Sequence, residues 1–206
     1  MAYNVISLKD MYEAIGEEKT KEILNEFECP LNKDVEFFIK EKAIQFLKMG
    51  VSRTFLVSST YKEEVVIVGY FALANKITKV KKSALSNSVR KRLNRFAEQN
   101  TQNIIEKYCM VSLPLIGQLG KNYRNNYDRL ISGDYLLKLA CDKIKEAQNI
   151  LGGKFAFVEC EDKEELRKFY ESNGFVCFGK RNLEKDEKEQ NSGNYLLQML
   201  CDLSKD

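Results

Sequence analysis

The sequence predicts a mixed α/β fold, a central β-sheet flanked by helices, and three observations carry that expectation. Two β-branched and aromatic runs, Thr54 to Ser58 and Val65 to Ala74, are separated by the polar stretch Ser59 to Glu64, which is the signature of a hairpin. Leu136, Leu137, Ala140, Ile144, Ala147 and Leu151 recur at helical spacing and lead into the short apolar run Phe155 to Cys160. Strand and helix patterns then alternate to the end of the chain. A sheet with crossovers in one half and hairpins in the other is mixed.

In chain order, the first 28 residues read as one or two short helices, with Met11, Ile15, Ile23, Leu24 and Phe27 on a loose apolar face. Pro30 interrupts them, and Asn32 or Asp34 caps a helix that runs to about Met49 and stops at Gly50. The hairpin follows, its second strand continuing toward Val80. Residues 84–107 turn polar and helical. Met110 to Leu119 returns to strand, with Pro114 requiring an edge position or a bulge. Tyr135 to Leu151 is the clearest helix and ends at Gly152-Gly153. Asp162 and Glu165 have capping-box spacing for a helix ending at Asn173-Gly174. Phe175 to Phe178 and Tyr195 to Leu203 supply two last strands around a charged loop. The organisation expected is one domain over 1–206, with an N-terminal helical extension (about 1–30) and a basic helical insert (about 76–107).

Composition excludes several chemistries. The chain has 206 residues, six cysteines and no histidine. Without histidine there is no Ser-His-Asp or Cys-His hydrolase and no histidine base. The cysteines form no close pair, so neither a zinc site nor any other metal is expected. Widely spaced thiols inside apolar runs and no signal-peptide pattern read as a reducing cytoplasm. No apolar stretch approaches the roughly 20 residues of a membrane span, so no membrane partner is expected.

Two regions invite ligands. The loop Gly120 to Asp134 ends in Ser132-Gly133-Asp134 at a helix start, where backbone N–H groups lack intrahelical partners and the dipole favours an anion. A pyrophosphate suits such a place, with Lys121, Arg124 and Arg129 adding charge; equally, Ser132 alone caps the helix and Gly133 eases the turn. The second region is Lys76 to Arg95, which carries Lys76, Lys79, Lys81, Lys82, Arg90, Lys91, Arg92 and Arg95 without an acidic residue. Uncompensated charge attracts polyanions, although a solvated face looks the same. Aromatics are few there, so base stacking is not indicated.

The run LIGQLGKNYRNNYDRLISGDYLLKLACDKI resembles the acetyl-CoA-binding segment of the GNAT acetyltransferases, in which a bulged strand leads through a glycine-rich pyrophosphate loop into a long helix. FAFVECEDKEELRKFYESNGFVCFG is similar to the strand, helix and strand that follow, with the aromatic-Tyr-Glu-x-x-Gly-Phe signature at Phe169 to Phe175. FECPLNKDVEFFIKEKA is similar to the opening helix of a branch that includes toxins acetylating aminoacyl-tRNA. The resemblance spans roughly Phe27 to Leu203. The loop departs from the family pattern Arg/Gln-x-x-Gly-x-Gly/Ala: Asp128-Arg129-Leu130-Ile131-Ser132-Gly133 keeps only the last glycine.

The resemblance implies an N-acetyltransferase that moves an acetyl group from acetyl-CoA to a primary amine by direct attack. It implies backbone groups of Leu119 and Gly120 for the pantetheine arm, amides of Ile131, Ser132, Gly133 and Asp134 for the pyrophosphate, and Tyr170 as proton donor to the departing sulfur. On residues alone, Tyr170 is instead a packing residue beside Leu166 and Phe169. Glu159, at a strand end, is the candidate base. The acceptor is a small molecule or an aminoacyl-tRNA, and a homodimer is among the expectations. Two other readings stay open: a catalytically silent GNAT-fold binding module, suggested by the altered loop, and a tRNA-binding protein that uses the basic patch 76–95.

Overall fold

The computed structural model describes residues 2–96, 108–183 and 193–204. The expected helical stretch over 97–107 and most of the charged loop, 184–192, lie outside them. In chain order the elements are β1 (Tyr3–Ser7), α1 (Leu8–Ile15), α2 (Glu17–Asn25), α3 (Lys33–Phe37), a π-helical turn (Phe38–Lys42), α4 (Ala43–Met49), β2 (Arg53–Tyr61), β3 (Glu64–Lys81), α5 (Asn87–Leu93) and β4 (Tyr108–Lys121). Then come α6 (Gly133–Leu151), β5 (Phe155–Glu161), α7 (Glu164–Ser172), β6 (Val176–Asn182) and β7 (Tyr195–Asp202). The strands form one seven-stranded sheet in the order β1-β2-β3-β4-β5-β7-β6. Pairs β1/β2, β2/β3, β5/β7 and β6/β7 are antiparallel. The helix α6 links the neighbours β4 and β5, a step that an antiparallel hairpin does not need.

Several elements differ from the sequence reading. Tyr3–Ser7 is an edge strand rather than helix, paired with β2 from Tyr3↔Ser59 to Ser7↔Phe55. Residues 76–81 of the expected helical insert are the end of β3, and α5 covers only Asn87–Leu93. The capping box at α7 is not formed: its N-cap is Lys163, and Asp162 is engaged by Arg167 and the Tyr195 hydroxyl. Pro114 lies in β4, between β3 and β5, so the edge alternative does not hold. The alternation of buried and exposed positions breaks just after it, where Leu115 and Ile116 are both buried.

The chain divides into two compact units, Met1–Ala74 with Ile116–Asp142 and Asn75–Leu115 with Lys143–Asp206. The core of the first gathers Leu8, Leu24, Phe27, Ile39, Leu56 and Tyr70. Each large side chain fully buried this way contributes about 1.5–3 kcal/mol. Tyr70 has no solvent exposure; its hydroxyl donates to the Val35 carbonyl at 2.6 Å, and its ring meets Phe27 edge-on at 5.1 Å. Burial pushes its phenol well above the ordinary range. The core of the second unit gathers Val80, Leu93, Val111, Phe155, Phe157, Phe178 and Leu200. There Arg92 of α5 reaches the buried Asp202 carboxylate at 2.6 Å.

Candidate active site

In the first unit, β4 runs out beside β3 with unusually little space. A Cβ on Gly120 would lie 2.3 Å from Val35 Cγ1, and one on Gly69 would lie 2.9 Å from the Gly120 carbonyl oxygen. No side chain fits at either place, so the backbone of Gly120 stands directly against its neighbours. Gln118 donates to Asp34 Oδ2 at 2.8 Å, tying the start of α3 to the same strand.

The residue after β4 anchors the loop. Asn122 is buried, and its backbone N–H donates to the Val68 carbonyl at 2.9 Å while its Nδ2 donates to Ile67 O at 2.8 Å. Its Oδ1 accepts from the Glu28 and Arg124 amides, each at 3.1 Å. One side chain thus joins β3, the segment before α3 and the loop. Sequence reasoning passed over it, because an asparagine in a polar loop carries no periodic signal. The loop then turns through Asn125 and Asn126, both at positive φ, which asparagine tolerates better than most residues. Lys121 Nζ donates to the Asp128 carbonyl at 3.0 Å, and the Tyr3 hydroxyl donates to Leu130 O at 2.6 Å. Arg124 pairs with Glu26 at 3.3 Å, while Arg129 is exposed and has no ion pair among the described residues.

The loop delivers a defined helix start. Ile131 is buried, and Ser132 is the residue before α6: its Oγ accepts the Tyr135 amide at 3.1 Å and its carbonyl accepts the Leu136 amide. Gly133 and Asp134 occupy the first turn, where amides have no intrahelical acceptor. The Asp134 carboxylate, exposed in that turn, favours the helix dipole but opposes an anion placed there.

In the second unit, Tyr170 and Glu159 are placed by different physics. The signature FYESNGF is a helix ending. Gly174 takes φ +81°, its amide donates to Glu171 O, and the Phe175 amide donates to Tyr170 O at 3.0 Å. That bond pair is a Schellman motif, and its customary apolar contact is the Tyr170–Phe175 ring pair, with centroids 5.6 Å apart. The tyrosine ring, also 4.9 Å from Phe169, is therefore fixed by the helix terminus.

Glu159 lies mid-sheet with its side chain 7% exposed. Its Oε2 receives Lys76 Nζ at 3.0 Å and Arg181 Nε at 2.9 Å, and its Oε1 receives Gln198 Nε2 at 2.9 Å. Burial alone would raise its pKa, but the bonds from Arg181, Gln198 and Lys76 outweigh it and hold the carboxyl below the usual carboxylate range. A carboxylate so held is a weak base. Gln198 extends the cluster to the buried Thr78 Oγ1 at 3.2 Å. Among the described residues, no cluster of carboxylates and thiols has the arrangement of a metal site.

No protein-family model matches the chain, and no curated protein sequence matches it. Solved structures do. AtaT complexed with acetyl-methionyl-tRNAfMet is 18% identical at a TM-score of 0.59, over 95% of this chain and 94% of that one. A Tyr-to-Phe mutant of KacT is 15% identical at 0.59, over 96% and 94%. AtaTR bound with AcCoA is 15% identical at 0.54, over 95% and 91%. The chain therefore has the fold of AtaT and KacT, a mixed sheet with flanking helices.

Proposed function

We propose that the protein is an acetyl-CoA-dependent N-acetyltransferase of the cytoplasm whose acceptor is the α-amine of an aminoacyl-tRNA. The observation that carries the reading is the β4–loop–α6 junction: a close-packed strand end, a loop pinned by Asn122, and a capped helix start, within a fold whose similar structures include acetyl-CoA and acetyl-methionyl-tRNA complexes. Backbone groups of Leu119 and Gly120 hold the pantetheine arm. The amides from Ile131 to Asp134, at and just before the start of α6, receive the pyrophosphate, with Arg124 and Arg129 adding positive charge. Backbone amides do this without glycine, so Ile131 in place of the pattern's first glycine leaves the donors of the loop.

The amine nitrogen attacks the thioester carbonyl, the carbon–sulfur bond breaks and an amide forms. The thiolate of CoA takes a proton from the Tyr170 hydroxyl, the ammonium formed on attack loses its proton to water, and the Tyr170 phenolate regains a proton from water. An α-amine next to an ester is less basic than a lysine amine, so much of it is neutral near pH 7 and a weak base suffices. Water then suffices as that base, and Glu159 serves as an anchor for Lys76 and Arg181. Holding the two reactants together supplies much of the acceleration.

The first measurement is the melting temperature with acetyl-CoA, with 3′,5′-ADP as control. One-site binding at a hundredfold excess over Kd stabilises by about 2.7 kcal/mol. In a transfer assay on charged tRNA, Tyr170→Phe keeps the ring and the helix ending, and is expected to lower kcat by roughly 10²–10⁴ with acetyl-CoA affinity unchanged. No thermal shift with either ligand overturns the reading in favour of a silent module.

A further inference from the structure

The second unit holds a cavity of about 500 Å³ that the transfer chemistry does not use. Its size lies within the roughly 300–1,000 Å³ of ligand pockets. Five of its lining residues are cationic, Lys76, Lys79, Lys81, Lys180 and Arg181, and none is acidic. They divide into two groups. Lys76 and Arg181 are both bound to Glu159 beneath the lining, which fixes their positions and offsets part of their charge. Lys79 and Lys81 are exposed and have no carboxylate partner among the described residues. Lys79 Nζ instead lies 4.4 Å over the Tyr108 ring. Lys180 Nζ accompanies them, 2.8 Å from the Tyr195 hydroxyl and 3.6 Å from Asp162.

We propose that this pocket seats one nucleotide of a single-stranded RNA, its flanking phosphates on Lys79, Lys81 and Lys180 and its base against Tyr108 and Met110. Residues two apart on a strand stand about 6.6–6.8 Å apart on one face, a step that suits successive phosphates of an extended strand. Tyr108 supplies the stacking platform that the linear basic run lacks, because β4 carries an aromatic next to the cations of β3. A cavity admits a base that has left the stack, so a single strand is favoured over a duplex. Of the basic run Lys76 to Arg95, only its first three cations line the pocket, and Arg92 is committed to Asp202.

The site deepens the acceptor reading and rests on it for its purpose, but its binding is measured without acetyl-CoA. The probe is a fluorescein-labelled single-stranded RNA of about ten nucleotides, followed by anisotropy from 50 to 300 mM salt. Three phosphate contacts give a slope of log K against log salt near −2, at about −0.7 per contact. Lys79→Ala combined with Lys81→Ala is expected to weaken binding by roughly tenfold or more and to flatten the slope by about 1.4. Tyr108→Leu is expected to weaken binding with the slope intact. The control pair Arg90→Ala with Lys91→Ala, on α5 outside the lining, leaves both unchanged. Equal loss in the control pair, an unchanged slope in the lysine pair, or equally good competition by an acidic peptide overturns the proposal. RNA binding without a CoA shift supports the pocket and sinks the transferase; a CoA shift without RNA binding does the reverse.

Discussion

The loop before α6 and the pocket beside Glu159 are both proposed to take anions, but they are built from opposite materials. The first uses backbone: amides at a helix start, a close-packed strand end at Gly120, and side chains such as Asn122 and Ser132 that hold the backbone in place. The second uses side chains: cations from β3 and β6 set around a carboxylate from β5 and an amide from β7. A backbone site tolerates changes of residue type as long as the path of the chain survives. A side-chain site tolerates changes of path better than changes of charge. The two should therefore fail differently under mutation, and the comparison can be broken at three points.

The largest effect is expected at Glu159. Removing one member of a buried ionic cluster leaves the others uncompensated, at a cost of roughly 3–5 kcal/mol. Lys76 reaches solvent here, with 35% exposure, so Glu159→Gln should cost about 3 kcal/mol, read from chemical denaturation at pH 7. The loss has a pH signature. The folded pKa of Glu159 lies below its ordinary 4.5, so its stabilisation is complete above that value and disappears as the pH falls through the folded pKa. The gap between wild type and Glu159→Gln should close on acidification below about pH 4. A gap that stays constant to pH 3 would show that the cluster is not held by charge.

Asn122→Ala comes next. It leaves the Glu28 and Arg124 amides and the Ile67 carbonyl without their side-chain partner, and each buried polar group left unpaired costs about 1–3 kcal/mol. Water reaches the loop side, so a total near 2 kcal/mol is expected. The sharper readout is the cofactor: the acetyl-CoA thermal shift should shrink in this variant and persist in Glu159→Gln. Equal shrinkage in both would erase the distinction between the sites.

The same contrast explains what was legible in the sequence. The loop–helix junction was readable because helix starts advertise themselves: Ser132 and Gly133 precede a long apolar stripe, and the cap is where that pattern places it. The Schellman ending was readable from Asn173-Gly174-Phe175, since only glycine takes φ +81° there without strain. Both are local. The pocket was not readable, because its walls come from β3, β4, β6 and β7, and the linear basic run mixes its lysines with the α5 cations. The edge strand β1 was missed for the same reason: five residues with no clean alternation become a strand only because β2 lies alongside. Asp162 has capping-box spacing, yet Arg167 and Tyr195 hold it, a competition that no local pattern announces.

The smallest effect is the most diagnostic of a backbone site. Ser132→Ala removes the cap on the Tyr135 amide and should cost about 1 kcal/mol, measured by denaturant midpoint. If the pyrophosphate is held by amides, the freed Tyr135 N–H is one more donor facing it, and acetyl-CoA affinity should stay within about twofold, a difference of roughly 0.4 kcal/mol. If the serine hydroxyl itself carries the phosphate, affinity should fall by about tenfold, near 1.4 kcal/mol, the worth of one ordinary hydrogen bond. Stability and affinity thus move separately in the first case and together in the second, and calorimetry on one variant decides whether the loop binds through its backbone.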